Sequence, residues 1–448
     1  MLAAMAKQEV FYLQPLGWEN DPDEERYKVS TLNYLTARSY NNYALFFKLD
    51  NVDKPKVVDV LKAGLERTLS QTRHLSGTIE KDSTDGYSFV KRKDSTVRFF
   101  VQWLDSSEEN FPSFEDIEKA HFSATTLGDL NLWSVPPMTY GLVFIMHHHH
   151  YANDVLGWAG FTHQLAENCY AIVNQTPFPT WDLACLDRSR LLKPEVPEEA
   201  KVDGPASPER HPDHTVAVSL LFHLPRGKAI ELKQLATPTD GSWISTYDAF
   251  SAFIWRTLTR LRAPAVDMRR RMVNPKVPPR IQGNIMFAAL SPTAPVPQPT
   301  LAEIISEWPF PKLASYIRQL TDSMTEESLS QALDVIATIR DKAAMNVRIN
   351  SYPPMSILQT DHRDVNMNAA NFGFATPVTY RHLLDCISEG VIIIYPPRTT
   401  GPDSDEGCEF AISYEKSLAQ ELIDDPEWNK FFEYRGVDAE DAVHSKLC

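Results

Sequence analysis

Residues 140–157 read Tyr-Gly-Leu-Val-Phe-Ile-Met-His-His-His-His-Tyr-Ala-Asn-Asp-Val-Leu-Gly. The run from Tyr140 to Met146 is almost continuously apolar, the pattern of a strand covered on both faces. Past the histidines, Trp158, Phe161, Leu165 and Ile172 recur at helical spacing, so a helix follows. Four histidines thus stand where a buried strand hands over to a helix, and a rigid strand end can present side chains to a cleft. In an extended chain His147 and His149 point one way, His148 and His150 the other. A metal needs three or more converging ligands, and no obvious third partner is in reach, so no metal site is expected.

His150 stands four residues before Asp154, and Gly157 follows three later. It is the only His-x-x-x-Asp in the chain. Two readings fit. His150 is a catalytic base at the strand end, or it is satisfied there structurally while Asp154 caps the next helix.

Outward from this stretch, strands alternate with amphipathic helices. Val57, Leu61, Leu65 and Leu69 give one helix a single apolar stripe. From Ser189 to His214 the periodicity dissolves into charged residues and prolines, which reads as a surface linker. Val216, Val218, Leu220, Phe222 and Leu224 then alternate as a strand. Tyr247, Phe250, Ile254, Leu258 and Leu261 form a second helical stripe, a proline-rich stretch runs from Pro275 to Pro299, and Val391–Tyr395 is a late apolar strand. A chain of 448 residues exceeds one ordinary core. The expectation is an α/β protein of two similar domains, residues 1–188 and 216–448, joined by a crossover at 189–215, each a mixed sheet flanked by helices, with a cleft between them.

Composition narrows the function. A formal charge of −15 argues against nucleic acid, which demands a basic face. Five widely and irregularly spaced cysteines suggest neither a disulfide framework nor a zinc site. No window approaches a membrane span and the N-terminus carries no signal-peptide pattern. Ser445-Lys446-Leu447 resembles a peroxisomal address but is followed by Cys448, so a cytoplasmic location is expected.

The chain resembles the BAHD acyl-CoA-dependent acyltransferases, and within them the fungal branch that includes trichothecene acetyltransferases. The fold this implies is chloramphenicol-acetyltransferase-like. His150-x-x-x-Asp154-x-x-Gly157 matches the family's central motif. Val29-Ser30-Thr31-Leu32-Asn33 is similar to L-S-x-L-D, and Leu75-Ser76-Gly77 to L-A-G. Ser245-Thr246-Tyr247-Asp248-Ala249, then Trp255-Arg256, resembles the helix that opens the second domain. Val266-Asp267-Met268-Arg269, then Pro278-Pro279 and Gly283-Asn284, is similar to V-D-x-R…P-P…G-N. Asn371-Phe372-Gly373-Phe374-Ala375 stands where the family carries D-F-G-W-G. These segments follow the family's order over nearly the whole length. Asn replaces Asp at 33 and 371, and Ala375 replaces Gly; Asn keeps the hydrogen-bonding shape but loses the charge.

The resemblance implies direct transfer in a ternary complex of acyl-CoA, with acetyl-CoA as the expected co-substrate, and a small hydroxylated acceptor such as a terpenoid or polyketide. His150 would be the general base, a role suited to imidazole. Asp154 would pair with Arg269 and orient the motif. Thr360, with His362 close by, stands where relatives carry a segment implicated in holding the oxyanion. Ser245, Thr246 and Arg270, with Arg271 and Arg280 nearby, would receive CoA, while Arg269, Asn371 and Gly373 are structural. No permanently bound cofactor and no metal are implied, and a monomer is expected. The absence of a G-x-S-x-G elbow fits transfer without an acyl-enzyme. Two other readings stay open: a free-standing condensation-type domain, against which Asn371–Ala375 speaks, and a fold member repurposed as a cyclase, isomerase or binder.

Overall fold

The computed structural model describes residues 7–36, 38–49, 53–83, 86–103, 111–127, 137–138, 141–204, 216–258, 265–267, 278, 280–284, 286–288, 297, 299–300, 302–342, 345, 357–384, 387, 389–398 and 406–440. The apolar run of the opening stretch is a strand, Gly141–His149. It pairs antiparallel with Tyr40–Lys48, with Tyr40 opposite His149 and Asn42 opposite His147. Tyr40–Lys48 pairs in turn with Thr379–Leu383. Alternation sends Leu142, Phe144 and Met146 to one core, beneath the helices Lys54–Gln71 and Val155–Asn174, and Val143 and Ile145 to another around Phe114, Ile117 and Phe122. The strand is therefore covered on both faces, as its unbroken hydrophobicity requires.

A second sheet of five strands runs in the order Leu358–Asp361, Val391–Ile394, Cys408–Glu415, Ala217–Leu224, Glu433–Glu440. Its first pair is parallel and the rest antiparallel. One face, with Leu220, Phe222, Ile392 and Phe410, packs on the helices Arg226–Ala236, Thr246–Leu258 and Phe310–Asp322. The other face, with Leu221, Ile393 and Ala411, joins the same apolar cluster as Tyr43, Trp158 and Tyr380 of the first sheet. The two sheets thus share a core at their junction. Thr379–Leu383, from the second half of the chain, completes the sheet of the first half.

A buried ionic strut crosses the same junction. Arg381, on the strand lent to the first sheet, bonds Glu409 on the second at 2.6 Å, and Arg398 and Arg435 also hold that carboxylate. Burial pushes the Glu409 carboxyl up, but the three guanidiniums outweigh it and hold it at about 2. Among the described residues no helix is long and apolar enough to cross a membrane.

Candidate active site

The strand ladder ends at His149, so strict alternation orders only the first three histidines. His147 Nδ1 lies 2.7 Å from Asn42 Oδ1. His148 is buried against Phe161 with Nε2 2.8 Å from Asn153 Nδ2. His149 Nδ1 accepts the backbone N–H of Tyr151 at 3.0 Å. Each is absorbed locally, and among the described residues no group of three or more ligating side chains is placed to hold a metal.

His150 sits in the turn beyond the strand, and that turn is held from three sides. Its N–H donates to the Ser39 carbonyl at 2.9 Å. Its carbonyl accepts from Asn284 Nδ2 at 2.7 Å. The next carbonyl, Tyr151 O, accepts from Asn33 Nδ2 at 2.5 Å. Asn33 Oδ1 in turn accepts from Ser30 Oγ, from Asn284 N and from Asn284 Nδ2 at 2.8, 3.3 and 3.2 Å. Just downstream, Asn153 Oδ1 takes the N–H of Gly283 at 2.5 Å, Asn153 Nδ2 donates to Gln282 Oε1 at 2.8 Å, and Gln282 Nε2 donates to the Gly157 carbonyl at 2.9 Å. The segment Gln282-Gly283-Asn284 therefore clasps the whole His150–Gly157 turn. Asn33, Gln282 and Asn284 are fully buried and Asn153 nearly so, where each bond is strong and each loss costly. Gly157 belongs to this fit, because a Cβ there would lie 2.5 Å from Asn153 Oδ1.

The charged form of the His150 imidazole is disfavoured. Burial lowers its pKa, against upward pulls from its own backbone, Asp154 and Asn284. Its Nδ1 is buried without a hydrogen-bond partner among the described residues. Asp154 caps the following helix, accepting from Gly157 N at 2.9 Å. It also favours the charged form of His362, whose pKa burial nonetheless drives to about 3. Arg269 and Arg270 lie outside the described residues, so the Asp154–Arg269 pairing has no geometry to report.

His382 shares this interior: burial lowers its pKa to about 3, helped by His362 and His150. Its ring lies 4.8 Å from Tyr43 and 6.3 Å from His362. Nδ1 of His362 and of His382 and the Tyr380 hydroxyl are likewise buried and unpartnered among the described residues. Buried polar atoms left in such numbers at one junction mark a place where a polar guest or water belongs. Thr360 is half-buried on the Leu358–Asp361 strand that leads to His362. Sequence reading missed His382, which lies in a segment with no motif, and Asn153 and Gln282, which occupy unassigned positions inside or beside the His-x-x-x-Asp and Gly-Asn matches.

Other expected site residues have local duties. Ser245 caps its helix: its hydroxyl donates to Asp248 Oδ2 at 2.7 Å and accepts from Asp248 N at 3.1 Å. Thr246 opens that helix. Arg280 is spent on Gln164 and Glu167. Asn371 is exposed and its carbonyl oxygen takes the Gly373 N–H at 2.8 Å. Gly373, at φ +83°, abuts the Val155–Asn174 helix, where a Cβ would meet Val173 at 2.8 Å. Phe372 beside it is fully buried edge-on to Phe47. This segment is a docking plug that needs an acceptor oxygen and no charge, so Asn serves where the family has Asp. No described cysteine is drawn toward thiolate; burial pushes Cys169, Cys185 and Cys408 up, the last to about 12.

A family model for the "Transferase family" matches residues 19–417. The chain belongs to that family. It is a BAHD-type acyltransferase. It is 64% identical to "Acetyltransferase FGR3" of Gibberella zeae, over 97% of this chain and 95% of the relative. It is 24% identical to "Trichothecene 3-O-acetyltransferase TRI101" of Fusarium sporotrichioides, over 89% of this chain and 94% of the relative. Its fold matches that of F. graminearum TRI101 complexed with coenzyme A and T-2 mycotoxin, with TM-score 0.71 and 20% identity, over 92% of this chain and all of the other. Vinorine synthase matches at TM-score 0.63 and 19% identity, over 92% and 96%.

Proposed function

We propose that the protein transfers an acetyl group from acetyl-CoA to a hydroxyl of a small secondary metabolite, a terpenoid or polyketide, with His150 as general base. The observation that carries this is a half-buried imidazole, its charged form disfavoured by desolvation, in a turn clasped by Asn33, Asn284 and Gln282. An alcohol is a poor nucleophile at neutral pH, whereas a thioester carbonyl is already activated. As the oxygen attacks, its proton passes to the His150 imidazole and the new O–C bond forms. The C–S bond then breaks and the imidazolium returns that proton to the sulfur, giving the ester and free CoA. A positioned base of this kind contributes about 10²–10⁴-fold. Depression of the His150 pKa by burial supports the role, because it favours the unprotonated ring that can accept the alcohol's proton.

Asp154 holds the helix start and Asn33, Asn284 and Gln282 hold the turn; we assign these as positioning residues. Thr360 is proposed as an oxyanion donor, and Thr246 and Arg270 as contacts for CoA. Ser245 acts through its cap. The relative of 64% identity is named an acetyltransferase, which favours acyl transfer over a condensation, cyclase, isomerase or purely binding role. A cytoplasmic, monomeric enzyme fits this reading. The test is stoichiometric: acetyl-CoA with a hydroxylated sesquiterpenoid such as deoxynivalenol should release one thiol for each ester formed. Thiol release without ester, or ester without acetyl-CoA, would refute it.

A further inference from the structure

Arg188 is a buried cation that no described residue neutralises. It is 8% exposed, and its Nη1 is buried without a hydrogen-bond partner among the described residues. Its guanidinium makes no hydrogen bond and no ion pair to any of them. Asp187 beside it is exposed and accepts from Ser189 N at 2.9 Å. Asp21 and Glu25, near the strand residue Tyr27, are taken by Lys91 and Arg73. Burial lowers the Arg188 pKa to about 10, and among the described residues Tyr27 alone opposes it. Taking such an ion out of water is strongly unfavourable unless a counter-charge meets it.

A second orphan lies beside it. His74 is 2% exposed, and its Nε2 is buried without a partner among the described residues. Both groups flank the Phe89 ring. Arg188 Cζ is 5.7 Å from the Phe89 centroid and the His74 ring centre 5.8 Å from it. Burial, then the charge of Arg188, drives the His74 pKa well down, so its imidazole is neutral and offers a single N–H. One cationic and one neutral donor, both unsatisfied, are a donor set for an oxyanion. The Arg188 stem also lies against the clasp, because a Cβ on Gly283 would meet its Cδ at 3.1 Å and its Cγ at 3.7 Å.

We propose that Arg188 and His74 form a binding site for a small oxyanion, a carboxylate or inorganic phosphate, at the back of the clasp. The guanidinium supplies paired donors and the charge, His74 Nε2–H a further bond, and the bound anion braces Arg188 against Gly283. The site takes no part in the acetyl-transfer reading, so either can fail without the other.

Isothermal titration of the full chain with sodium acetate and with sodium phosphate, at constant ionic strength, is the test. At least one should bind at a single site, and the tighter of the two names the source. Arg188→Met keeps the bulk of the stem and drops the charge, so it should weaken that binding by about 30-fold, and His74→Leu by about fivefold. At 100 times its Kd, the anion should raise the parent's melting temperature by about 3 °C more than that of Arg188→Met. Without anion the variant should melt at or above the parent, since it no longer buries an unpaired charge. Should Arg188→Met not fold, Arg188→Gln carries the same comparison. Binding of neither anion, equal binding by parent and variant, or a variant that melts lower at every anion concentration would each overturn the site.

Discussion

Asn284→Ala should separate positioning from stability more cleanly than any other single change. Asn284 is fully buried, and its amide donates to His150 O at 2.7 Å and to Asn33 Oδ1 at 3.2 Å. Truncation leaves the His150 carbonyl without that donor and weakens Asn33, which still accepts from Ser30 Oγ and from the Asn284 backbone. An unsatisfied buried carbonyl costs about 1–3 kcal/mol, and the lost second bond adds about 1, so roughly 3 kcal/mol in all. At about 2.1 cal/mol/K per residue, a chain of 448 residues unfolds with an entropy near 0.9 kcal/mol/K, so the melting temperature should fall by only about 3 °C. Catalysis should suffer far more. A displacement of about 1 Å at a reacting group costs on the order of 100-fold. The assay is thiol release at saturating acetyl-CoA and acceptor, beside a thermal melt. A variant that melts a few degrees lower yet keeps kcat within twofold of the parent would refute the claim that this clasp positions the base.

Asn33→Asp restores the family's residue but removes the amide that donates to Tyr151 O, so kcat should fall about tenfold or more rather than rise, measured by the same assay. Gly373→Ala should destabilise by about 2–4 kcal/mol, since it combines a left-handed backbone with a Cβ pressed on Val173; once folded, its kcat should match the parent, which a melt and a rate at low temperature would check. His148, His362 and His382 are each lowered to about 3 by burial, so they fold neutral, whereas the unfolded chain protonates them near 6.5. Their contribution is complete above pH 6.5 and is lost as pH falls toward 3. From pH 7.5 to 5.5 each should cost about 1.4 kcal/mol, so these three together should account for about 4 kcal/mol of the loss that urea unfolding registers, with His149 and His74, lowered likewise, adding to it.

The histidine strand and a helix that packs on it were legible because burial on both faces and a 3.6-residue stripe leave marks in a linear sequence. Tyr140–Met146 and Val57–Leu69 carry those marks, and the structure has a strand at Gly141–His149 and a helix at Lys54–Gln71. The loan of Thr379–Leu383 to the first sheet was not legible. Pairing with Tyr40–Lys48 is a contact between residues more than 300 apart in sequence, and nothing in either segment encodes its partner. The clasp was half legible. Asn33, Gly283 and Asn284 were visible through family resemblance, but Asn153 and Gln282 act through amide geometry that exists only once the two segments meet. Ser245 illustrates the opposite case. A hydroxyl at a helix start suits a cap as well as a ligand, and hydrogen bonds to Asp248 decide for the cap.

Replacing His150 by alanine tests the account most directly. The imidazole Nδ1 has no hydrogen-bond partner among the described residues, and the clasp holds the turn chiefly through its backbone, with Asn284 alone also acting on the ring, so the variant should fold with a melting temperature within a few degrees of the parent's. Its kcat/KM for acetyl transfer should drop by about 10²–10⁴-fold across the neutral range. A folded His150→Ala protein that acetylates its acceptor at the parent's rate would contradict it.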